Sequence, residues 1–385
     1  MRIRVRWAIL PEAIDSVEQH VVLELTGGLV TDVQIDRPDL DVSIDFPTTL
    51  LLPRFANLHT HLEFSQLSEP LGPVNPFADW IRSVIGYRNC IEDRDAAIRQ
   101  GIEESISAGV GTVGEIWTQD AFQVYQQAMQ EQTPFQELSL ILFREVIGIH
   151  PDQWQQRFED LVNAVETLRR SDDFSGRVGL SPHAPYTVHP QLFQAVCQFA
   201  TQKQLPLAFH LAETKEELEL LKSQSGPIRD LLNQFGLWSE DIFPESVAPL
   251  DYIRQLDDMP EAYLIHCNYL TDGEVAAIAE RPHLTIVYCP RTHAYFEHPP
   301  HRWQEIIARG GKVVLGTDGR SSNPDLSILA EAKFLVRKHA ESSPLEILQM
   351  ILPNSKPQQQ RRLGQFQFYD LQTDAVSCPI QRLLQ

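Results

Sequence analysis

The feature that most restricts how this chain can fold is an alternation, from about residue 55 onward, of short apolar runs with longer stretches of helical period. Each run has the length of a buried strand, and the stretches between carry apolar residues three and four positions apart. The eight runs lie at 55–59, 111–116, 138–143, 177–181, 205–210, 263–266, 284–289 and 312–317. Eight buried strands alternating with helices predict an α/β fold of the (β/α)8 TIM barrel type, with an open doubly wound sheet as the alternative.

Several segments outside these runs have recognisable patterns of their own. Helices are predicted where an apolar period follows a starting proline or aspartate, at 151–170, 190–200, 272–279 and 325–339. Two strands, 20–25 and 29–35, flank a turn at Gly27-Gly28 and predict a hairpin. Residues 223–249 contain several glycines and prolines, which predicts a long loop able to cover a site.

These patterns divide the chain into three parts. Residues 1–52 form the N-terminal segment of a small β-sandwich, residues 53–345 form the barrel, and residues 346–385 form an atypical C-terminal segment.

Composition excludes several classes of protein. Of 385 residues, 43% are hydrophobic and 22% charged, which is ordinary globular usage rather than that of a disordered or fibrous chain. A net charge of −20 repels phosphate backbones and anionic lipid, so we expect neither nucleic acid nor a membrane as partner. The 5 cysteines include no Cys-x-x-Cys pair, which argues against a disulfide scaffold or a thiolate zinc cluster. Pro11 cuts the first apolar run short and no stretch could span a bilayer, so we expect a soluble cytoplasmic protein.

Histidines stand at the ends of several predicted strands, where the active sites of such barrels lie. The ends of the first, fifth, sixth and eighth runs carry His59, His61, His210, His266 and Asp318. Residues two apart on a strand project to the same side, so the imidazoles of His59 and His61 can reach one ion. A lone buried histidine is more often a hydrogen-bonded core residue, but imidazoles together with a carboxylate suit zinc or a similar divalent ion. The joint pattern therefore predicts a metal site.

Glu213 lies three residues after His210, at a predicted strand-to-helix turn. A carboxylate beside a metal-activated water can take its proton and pass it to a leaving group. The alternative is an acid favoured at a helix start by the macrodipole, and that description fits Glu216, Glu217 and Glu219 better.

Four further residues near the predicted strand ends are candidates for substrate binding: Trp80, Arg291, His293 and Arg320. An arginine can clamp a substrate carboxylate with paired hydrogen bonds, although a surface salt bridge is an equally good reading of Arg291 and Arg320. His293 follows the seventh run, where it either touches substrate or is structural.

A set of motifs spread over about residues 50–340 resembles the amidohydrolase superfamily, and within it the mononuclear deaminases and chlorohydrolases. The motifs are Asn57-Leu58-His59-Thr60-His61-Leu62-Glu63, His183-Ala184-Pro185-Tyr186, His210-Leu211-Ala212-Glu213-Thr214, His266-Cys267 and Gly316-Thr317-Asp318. The resemblance extends to deaminases that act on cytosine, guanine, S-adenosylhomocysteine and aminodeoxyfutalosine.

The resemblance implies a role for each matching residue. The metal ligands would be His59, His61, His210 and Asp318, and the catalytic residues would be Glu213, His266 and Asp318. Glu213 would shuttle protons, His266 would hold the attacking water and His183 would line the substrate pocket. Two-metal members carry a bridging lysine after the fourth strand; residues 179–183 contain none, so one divalent ion is expected. That ion would be zinc, with iron or manganese as alternatives.

The chain also departs from the family's pattern. The family's seventh strand often ends Cys-Pro-x-Ser-Asn, whereas this chain has Cys289-Pro290-Arg291-Thr292-His293, which changes an expected substrate contact. Nothing after Leu363 matches the segment that closes the family's small β-sandwich. The sandwich is therefore expected to be incomplete, truncated or rebuilt.

These observations lead to a functional hypothesis. We expect a metal-dependent hydrolase that deaminates an aromatic heterocycle, and the Ser322-Asn323 pair near Asp318 resembles adenosine-type deaminases. The alternatives are a chlorohydrolase or cyclic-amide hydrolase that uses the same site, or a non-catalytic barrel that serves as an interaction module. The partner would be a small-molecule substrate, and an exposed sheet edge together with the resemblance suggests a homodimer.

Overall fold

A computed structural model describes residues 1–11, 13–27, 29–118, 122–131, 138–244, 246–352, 361–362, 365–373 and 375–377. Within these residues the strands form two separate sheets, and the helices lie between the strands of the second sheet or directly after it along the chain.

The N-terminal part of the chain forms the first sheet. Its strands are β1 (Arg2–Leu10), β2 (Ala13–Thr26), β3 (Leu29–Gln34) and β4 (Ile44–Pro53). β1 pairs antiparallel with β2 and parallel with β4, while β2 pairs antiparallel with β3, with Leu23 opposite Val33. The predicted hairpin is thereby confirmed, although its Gly28 lies outside the described residues. The sheet has its own apolar core, which includes Ile3, Val5, Val21, Leu23, Leu51 and Phe368.

The second sheet consists of eight parallel strands. They are β5 (Phe55–Thr60), β6 (Val110–Trp117), β7 (Ser139–Val146), β8 (Arg177–Pro182), β9 (Leu207–Leu211), β10 (Ala262–His266), β11 (Leu284–Tyr288) and β12 (Lys312–Leu315). Each strand pairs with the next one along the chain. A doubly wound sheet reverses its strand order, so this sequential order confirms the predicted barrel and excludes the open-sheet alternative.

The barrel closes between its last and first strands through hydrogen bonds near the strand ends. The side chain of Asn57 donates from Nδ2 to Thr317 Oγ1 at 2.8 Å, and its Oδ1 accepts from the Thr317 backbone N–H at 3.1 Å. The His59 carbonyl accepts from the N–H groups of Thr317 and Asp318, both at 3.1 Å. These bonds place Asp318 directly beside His59.

Thirteen α-helices are present in the described residues. They are α1 (Phe77–Cys90), α2 (Arg94–Ser107), α3 (Gln123–Gln130), α4 (Trp154–Arg169), α5 (Pro190–Lys203), α6 (Lys215–Ser223), α7 (Pro227–Gln234), α8 (Pro249–Gln255), α9 (Asp272–Ala279), α10 (Pro290–Tyr295), α11 (Trp303–Ala308), α12 (Ile328–Lys338) and α13 (Pro344–Gln349). A 3-10 turn spans Leu62–Phe64. The four predicted helices correspond to α4, α5, α9 and α12. No helix in the described part of the chain has both the length and the apolar character that crossing a membrane requires.

The loop predicted over residues 223–249 is interrupted by α7 and by the start of α8, while 224–226, 235–244 and 246–248 belong to no helix or strand. Its glycines and prolines serve as helix boundaries: Gly226, at φ 94°, is the N-cap of α7 and Pro227 follows as the first helical residue. A proline at that position loses no intrahelical hydrogen bond, because its missing N–H would have been unsatisfied anyway.

Three short C-terminal strands complete the first sheet. They are β13 (Arg361–Arg362), β14 (Phe366–Asp370) and β15 (Ala375–Ser377). β13 pairs with β3, and β14 pairs antiparallel with β4, with Phe366 opposite Pro53. Of the alternatives for the C-terminal segment, the structure therefore shows a rebuilt sheet. Strands from the first and last of the three predicted parts of the chain thus share one sheet. The division of the chain into these parts remains a prediction.

β5 contains a bulge next to the end that carries the histidines. Opposite β6, Asn57 pairs with Val113 and Thr60 with Glu115, so β5 has one residue more than its partner over this interval. The bulged backbone comes so close to Gly114 that a Cβ built there would lie 2.5 Å from the Leu58 carbonyl oxygen. The lack of a side chain at Gly114 thus permits the local path of the strand that carries His59.

Gly114→Ala should destabilise the protein by about 1–3 kcal/mol, since the added methyl meets backbone rather than a movable side chain. Urea unfolding followed by circular dichroism measures this difference. Gly273→Ala is the matched control, because the nearest atom to a Cβ there is Thr271 Oγ1 at 4.0 Å. Equal free energies of unfolding for the two variants would contradict the proposed close approach.

Candidate active site

The hydrogen bonds that close the barrel between β12 and β5 bring His59 and His61, the first two predicted metal ligands, next to Asp318. The Nε2 atoms of His59 and His61 each lie 3.5 Å from Asp318 Oδ1. His59 is fully buried, and the other two side chains are nearly so. Two neighbouring histidines and an aspartate more than 250 residues away in sequence therefore meet at the carboxyl end of the barrel.

His210 and His266 join this group from β9 and β10. The ring centroid of His59 lies 4.8 Å from that of His210 and 5.7 Å from that of His266. Two overlapping triads, His59–His210–His266 and His59–His61–Asp318, each keep one ligand atom per residue within 4.8 Å of the others. All the histidines predicted from the strand ends of the first, fifth and sixth runs are thus in one cluster with Asp318.

The chemistry of this donor set fits a divalent metal ion. Both ring nitrogens of His59 and Nδ1 of His61 are buried without a hydrogen-bond partner among the described residues, which is costly unless a ligand satisfies them. His210 Nδ1 lies 2.9 Å from the His183 carbonyl oxygen, to which it donates, so its Nε2 is left with a free lone pair. Imidazole nitrogens with one carboxylate are a usual ligand set for zinc.

Burial keeps the imidazoles of His61, His210 and His266 in the neutral form that can bind a metal. It lowers the pKa of His61 and of His210 well below 6.5, and the neighbouring His59 lowers both further. Burial likewise lowers the pKa of His266 to about 3. For Asp318, burial raises the pKa, but the contacts with His59 and His61 outweigh it and hold the pKa below its usual value.

Asp318 is held in position by its own side-chain and backbone partners. Ser322 Oγ donates to Asp318 Oδ2 at 2.5 Å, and Thr60 Oγ1 donates to the Asp318 carbonyl at 3.1 Å. Asp318 has φ 57°, in the left-handed region that non-glycine residues seldom occupy. The strained backbone and these hydrogen bonds together aim the carboxylate at the two histidines.

Glu213 lies beside the cluster and not within either triad. Its Oε1 is 3.5 Å from His266 Nε2, and its Oε2 accepts a hydrogen bond from the Tyr186 hydroxyl at 3.3 Å. Burial first, and then the charges of Asp318 and Glu217, raise the pKa of Glu213 well above its usual value. A carboxyl group with a raised pKa can both accept and return a proton near neutral pH.

Glu217 fixes the backbone that carries Glu213. Its carboxylate is fully buried and accepts from the backbone N–H groups of Ala212 at 2.7 Å and of Glu213 at 3.0 Å. Ala212 has φ 51°, so the turn between β9 and α6 is strained at this point. The macrodipole explanation that the sequence favoured for Glu217 is therefore incomplete, because its side chain folds back onto the site.

A cavity of about 200 Å³ opens above the cluster. Glu213, His61, His210, His266 and Asp318 line its floor, and apolar residues of α1 and α7 line much of the rest, including Ile81, Val84, Ile85, Ile228, Leu231 and Leu232. A mostly apolar cavity with a few convergent polar groups is the usual form of a small-molecule site.

Two of the predicted substrate-binding residues line this cavity, namely Trp80 and His183. Trp80 is fixed by a hydrogen bond from its indole N–H to the Ser321 carbonyl at 3.2 Å and stacks on Phe77. His183 lies 2.7 Å from Thr187 Oγ1 through Nδ1. Both side chains are therefore held in fixed orientations at the cavity wall.

Arg291, His293 and Arg320 are not among the described residues that line the cavity, and the structure places each of them in the alternative role, with a partner inside the protein. Arg291 is bound by Asp325 and by the buried Glu331, each at 2.7 Å. Arg320 pairs with Glu104 at 2.9 Å. His293 is buried, and its Nε2 lies 2.8 Å from the Pro299 carbonyl. In each case a partner within the protein occupies the group that was expected to meet substrate.

Several residues that line the cavity or support it were not predicted from the sequence. Tyr186 belongs to the motif His183-Ala184-Pro185-Tyr186, so the sequence could have suggested a role in the site for its hydroxyl. Glu217 follows Thr214 by three residues, the spacing of a helix capping box, but the spacing alone does not show which backbone groups it binds. Arg88 and the apolar face of α7 carry no local signal, because tertiary contacts alone bring them to the cavity.

Comparisons with known proteins agree with this geometry. The Amidohydrolase family matches residues 50–351, which is most of the chain. Among curated relatives, the aminodeoxyfutalosine deaminase of Deinococcus radiodurans is 30% identical over 294 residues, covering 74% of this chain and 67% of the relative.

Solved structures share the fold. The crystal structure of Helicobacter pylori aminofutalosine deaminase has a TM-score of 0.77 at 21% identity, covering 100% of this chain and 94% of that one. An adenosine deaminase from Xanthomonas campestris, solved with bound zinc, has a TM-score of 0.71 at 18% identity, covering 96% of this chain and 84% of that one.

His210→Ala should empty the metal site, because it removes a donor that the geometry places at the centre of the cluster. Purified wild-type protein should contain about one divalent ion per chain by elemental analysis, and the variant much less. His150→Ala is the control, since His150 lies outside the cluster, where its ring accepts from the Asp152 backbone N–H and lies 3.9 Å from the Asp152 carboxylate. Equal metal content in the two variants would contradict the assignment of His210.

Glu217→Gln should lower kcat about 10-fold or more with little change in metal content. One of the two carboxylate oxygens that accept from the backbone N–H groups of Ala212 and Glu213 is replaced by an NH2 donor, so Glu213 shifts. Steady-state kinetics and elemental analysis measure the two effects. Glu274→Gln is the matched control: Glu274 is also buried and accepts from a backbone N–H, that of Thr271, but holds no site residue. If both variants lose activity equally, Glu217 has only a structural role.

Proposed function

This chain belongs to the amidohydrolase family, and on that premise we propose that it is a metal-dependent hydrolase that deaminates an adenine-containing nucleoside and releases ammonia. The observation that carries the proposal is the position of Glu213, a buried carboxyl with a raised pKa that faces the cavity beside the metal-binding cluster. The names of the relatives support the substrate class, since they include deaminases of aminodeoxyfutalosine and of adenosine.

His59, His61, His210 and Asp318 would hold one divalent ion, which we propose is zinc. The zinc in the Xanthomonas campestris structure supports that choice. When bound, such an ion supplies a Lewis acid that lowers the pKa of water toward neutral pH. His266 completes the ring of imidazoles on the cavity side and is free to contact the reacting groups.

Glu213 moves the protons of the reaction. Deamination forms a carbon–oxygen bond from water to the ring carbon that bears the amine, and breaks the carbon–nitrogen bond of that amine. Glu213 accepts one proton from the water and delivers it to the ring nitrogen beside the reacting carbon. The second water proton, carried by the added hydroxyl, passes to the amine, which leaves as ammonia. The Tyr186 hydroxyl donates to Glu213 Oε2 and keeps the other carboxyl oxygen, Oε1, turned toward His266.

His266 and the cavity walls position the substrate. The Nε2 atom of His266, 3.5 Å from Glu213, can donate to the oxygen that adds to the ring. His266 has φ 67°, and its carbonyl accepts from His301 Nε2 at 2.9 Å, so its backbone is fixed in an uncommon conformation. Apolar side chains of α1 and α7 exclude water from a bound base, which strengthens the polar interactions at the floor of the cavity.

The substrate assignment is tested by an ammonia-release assay on purified enzyme with adenosine, 5′-substituted adenosines, guanine and cytosine. Ammonia release from the adenine nucleosides, with the matching inosine-type product, is the expected result. Chloride release from a chlorinated triazine, or ring opening of a cyclic amide, without deamination of any of these compounds would instead assign the chlorohydrolase or cyclic-amide activity.

Glu213→Gln should lower turnover by on the order of 10²–10⁴-fold, because the amide keeps the shape of the side chain but cannot accept a proton. Metal content and melting temperature should stay near those of the wild type, and KM should change much less than kcat. Glu219→Gln is the control, because Glu219 lies on the exposed face of α6, the helix that follows Glu213. Full turnover by Glu213→Gln would remove the proposed base.

A further inference from the structure

α1 lines more of the cavity than any other helix or strand in the described part of the chain. The lining residues that it provides are Trp80, Ile81, Val84, Ile85 and Arg88. The helix nevertheless lies near the protein surface, since only its first two residues, Phe77 and Ala78, are buried. A helix with so little of its length in the core depends on specific contacts to stay in place. The position of the cavity wall therefore depends on what holds the amino-terminal end of α1.

The amino-terminal end of α1 is capped by a residue from another helix. The N-cap of α1 is Pro76, whose side chain has no hydrogen-bond acceptor, so the first N–H groups of the helix need acceptors from elsewhere. The N–H of Phe77 donates to Glu216 Oε1 at 2.7 Å, and the N–H of Ala78 donates to Glu216 Oε2 at 3.1 Å. Both carboxylate oxygens are thus used, and their negative charge lies where the helix macrodipole favours it. Glu216, which the sequence favoured as an acid at a helix start, therefore also caps α1.

The first turn of α6 also connects this cap to the proposed base. Glu216 and Glu217 are consecutive residues of that turn, so they point about 100° apart around the helix axis. Glu217 accepts from the backbone N–H of Glu213 at 3.0 Å, while Glu216 binds α1. A second connection runs through Phe77, whose ring lies edge-on to that of Tyr186 at a centroid distance of 6.5 Å. One turn of helix therefore fixes both Glu213 and the helix that forms the cavity wall.

On the basis of the proposed deaminase function, we infer that Glu216 is a positioning residue, which holds α1 at the distance from Glu213 that a bound base requires. Without its carboxylate, the two N–H groups at the start of α1 lose their acceptors, and the first turn of the helix can open. Each substrate molecule must then order this turn as it binds, so substrate binding becomes weaker. Proton transfer should change little, because Glu217 still holds Glu213.

Two further contacts hold the rest of α1. The indole N–H of Trp80 donates to the Ser321 carbonyl at 3.2 Å, and Arg88 Nε donates to Glu63 Oε1 at 3.0 Å. Loss of the Glu216 carboxylate should therefore loosen the first turn of α1 and leave its last turn in place. This gradient along one helix distinguishes a cap from a residue that contributes only to the overall stability of the fold.

Hydrogen–deuterium exchange of the purified protein tests the cap without any substrate. In Glu216→Ala, the amides of residues 77–83 should exchange on the order of 10-fold faster, because the loss of a helix cap changes an equilibrium by about that factor. The amides of residues 87–90 and of α4 should keep their wild-type rates. Glu216→Gln retains one acceptor oxygen, so its exchange rates should be intermediate.

Asp251→Ala is the matched control. Asp251 Oδ2 also accepts from a backbone N–H at a helix start, that of Ala248 at 2.9 Å. Asp251 belongs to α8, and no residue of α8 is among the described residues that line the cavity. This variant should leave the exchange of α1 unchanged.

Steady-state kinetics with the adenine nucleoside that the wild type deaminates fastest tests the effect on binding. Glu216→Ala should raise KM on the order of 10-fold, because the substrate must order the first turn of α1 as it binds. The kcat should stay within about 3-fold of the wild-type value, as expected for a loss of binding rather than of catalysis. Asp251→Ala should change neither constant.

Each part of the inference has a result that would overturn it. Unchanged exchange at residues 77–83 in Glu216→Ala would show that the carboxylate does not hold α1. Faster exchange with an unchanged KM, or equal effects of Glu216→Ala and Asp251→Ala, would show that Glu216 does not position the wall for substrate. These results would leave the deaminase function intact. Absence of ammonia from every adenine nucleoside would overturn the proposed function itself, and the exchange rates alone would then decide whether Glu216 holds α1.

Discussion

The site depends on the closure of the barrel between β12 and β5. Asn57 and the His59 carbonyl hold the Thr317 and Asp318 backbone there, at distances between 2.8 and 3.1 Å. Without this seam, Asp318 would belong to one edge of an open sheet and the histidines of β5 to the opposite edge. The metal-binding cluster is therefore a consequence of closure, and the buried polar groups of the seam are satisfied by one another rather than by water.

The same edge of the barrel also concentrates backbone strain. Ala212, His266, Cys267 and Asp318 all have positive φ values, at the ends of β9, β10 and β12. Such conformations cost on the order of 1–3 kcal/mol each and persist only where neighbouring groups enforce them. Hydrogen bonds do so here: Cys267 N–H donates to the Leu211 carbonyl, Glu217 accepts from Ala212, and His301 binds the His266 carbonyl. The strained residues are those that turn functional side chains toward the cavity, so the surrounding hydrogen bonds stabilise an arrangement that the local sequence disfavours.

Much of the site could be predicted from the sequence, because the alternation of apolar runs with helical stretches shows where each strand of the barrel ends. His59, His61, His210, His266 and Asp318 each end an apolar run, and parallel strands bring their ends to one edge. Glu213 could be predicted from its distance to His210. For Arg291 the sequence left substrate binding and a salt bridge equally open, because Glu331, which binds it, lies 40 residues away and carries no local mark of that contact. Arg88 was missed for a similar reason: it reaches the cavity, and binds Glu63 at 3.0 Å, only after α1 has folded over the barrel. Within residues 223–249, α7 was not predicted, because proline and glycine act at helix ends as well as in turns.

The first sheet is assembled from segments that are more than three hundred residues apart, since Phe366 pairs with Pro53 and Arg361 with Val30. During synthesis, the edges of β3 and β4 leave the ribosome long before their partners do, while the whole barrel lies between them in the chain. The nascent protein must therefore keep two unpaired strand edges from associating with other chains while the intervening residues are translated. A ribosome that stalls late, after the barrel is finished, would release a chain with an intact metal-binding cluster but an open sheet. Such a chain would be exposed to edge-to-edge aggregation.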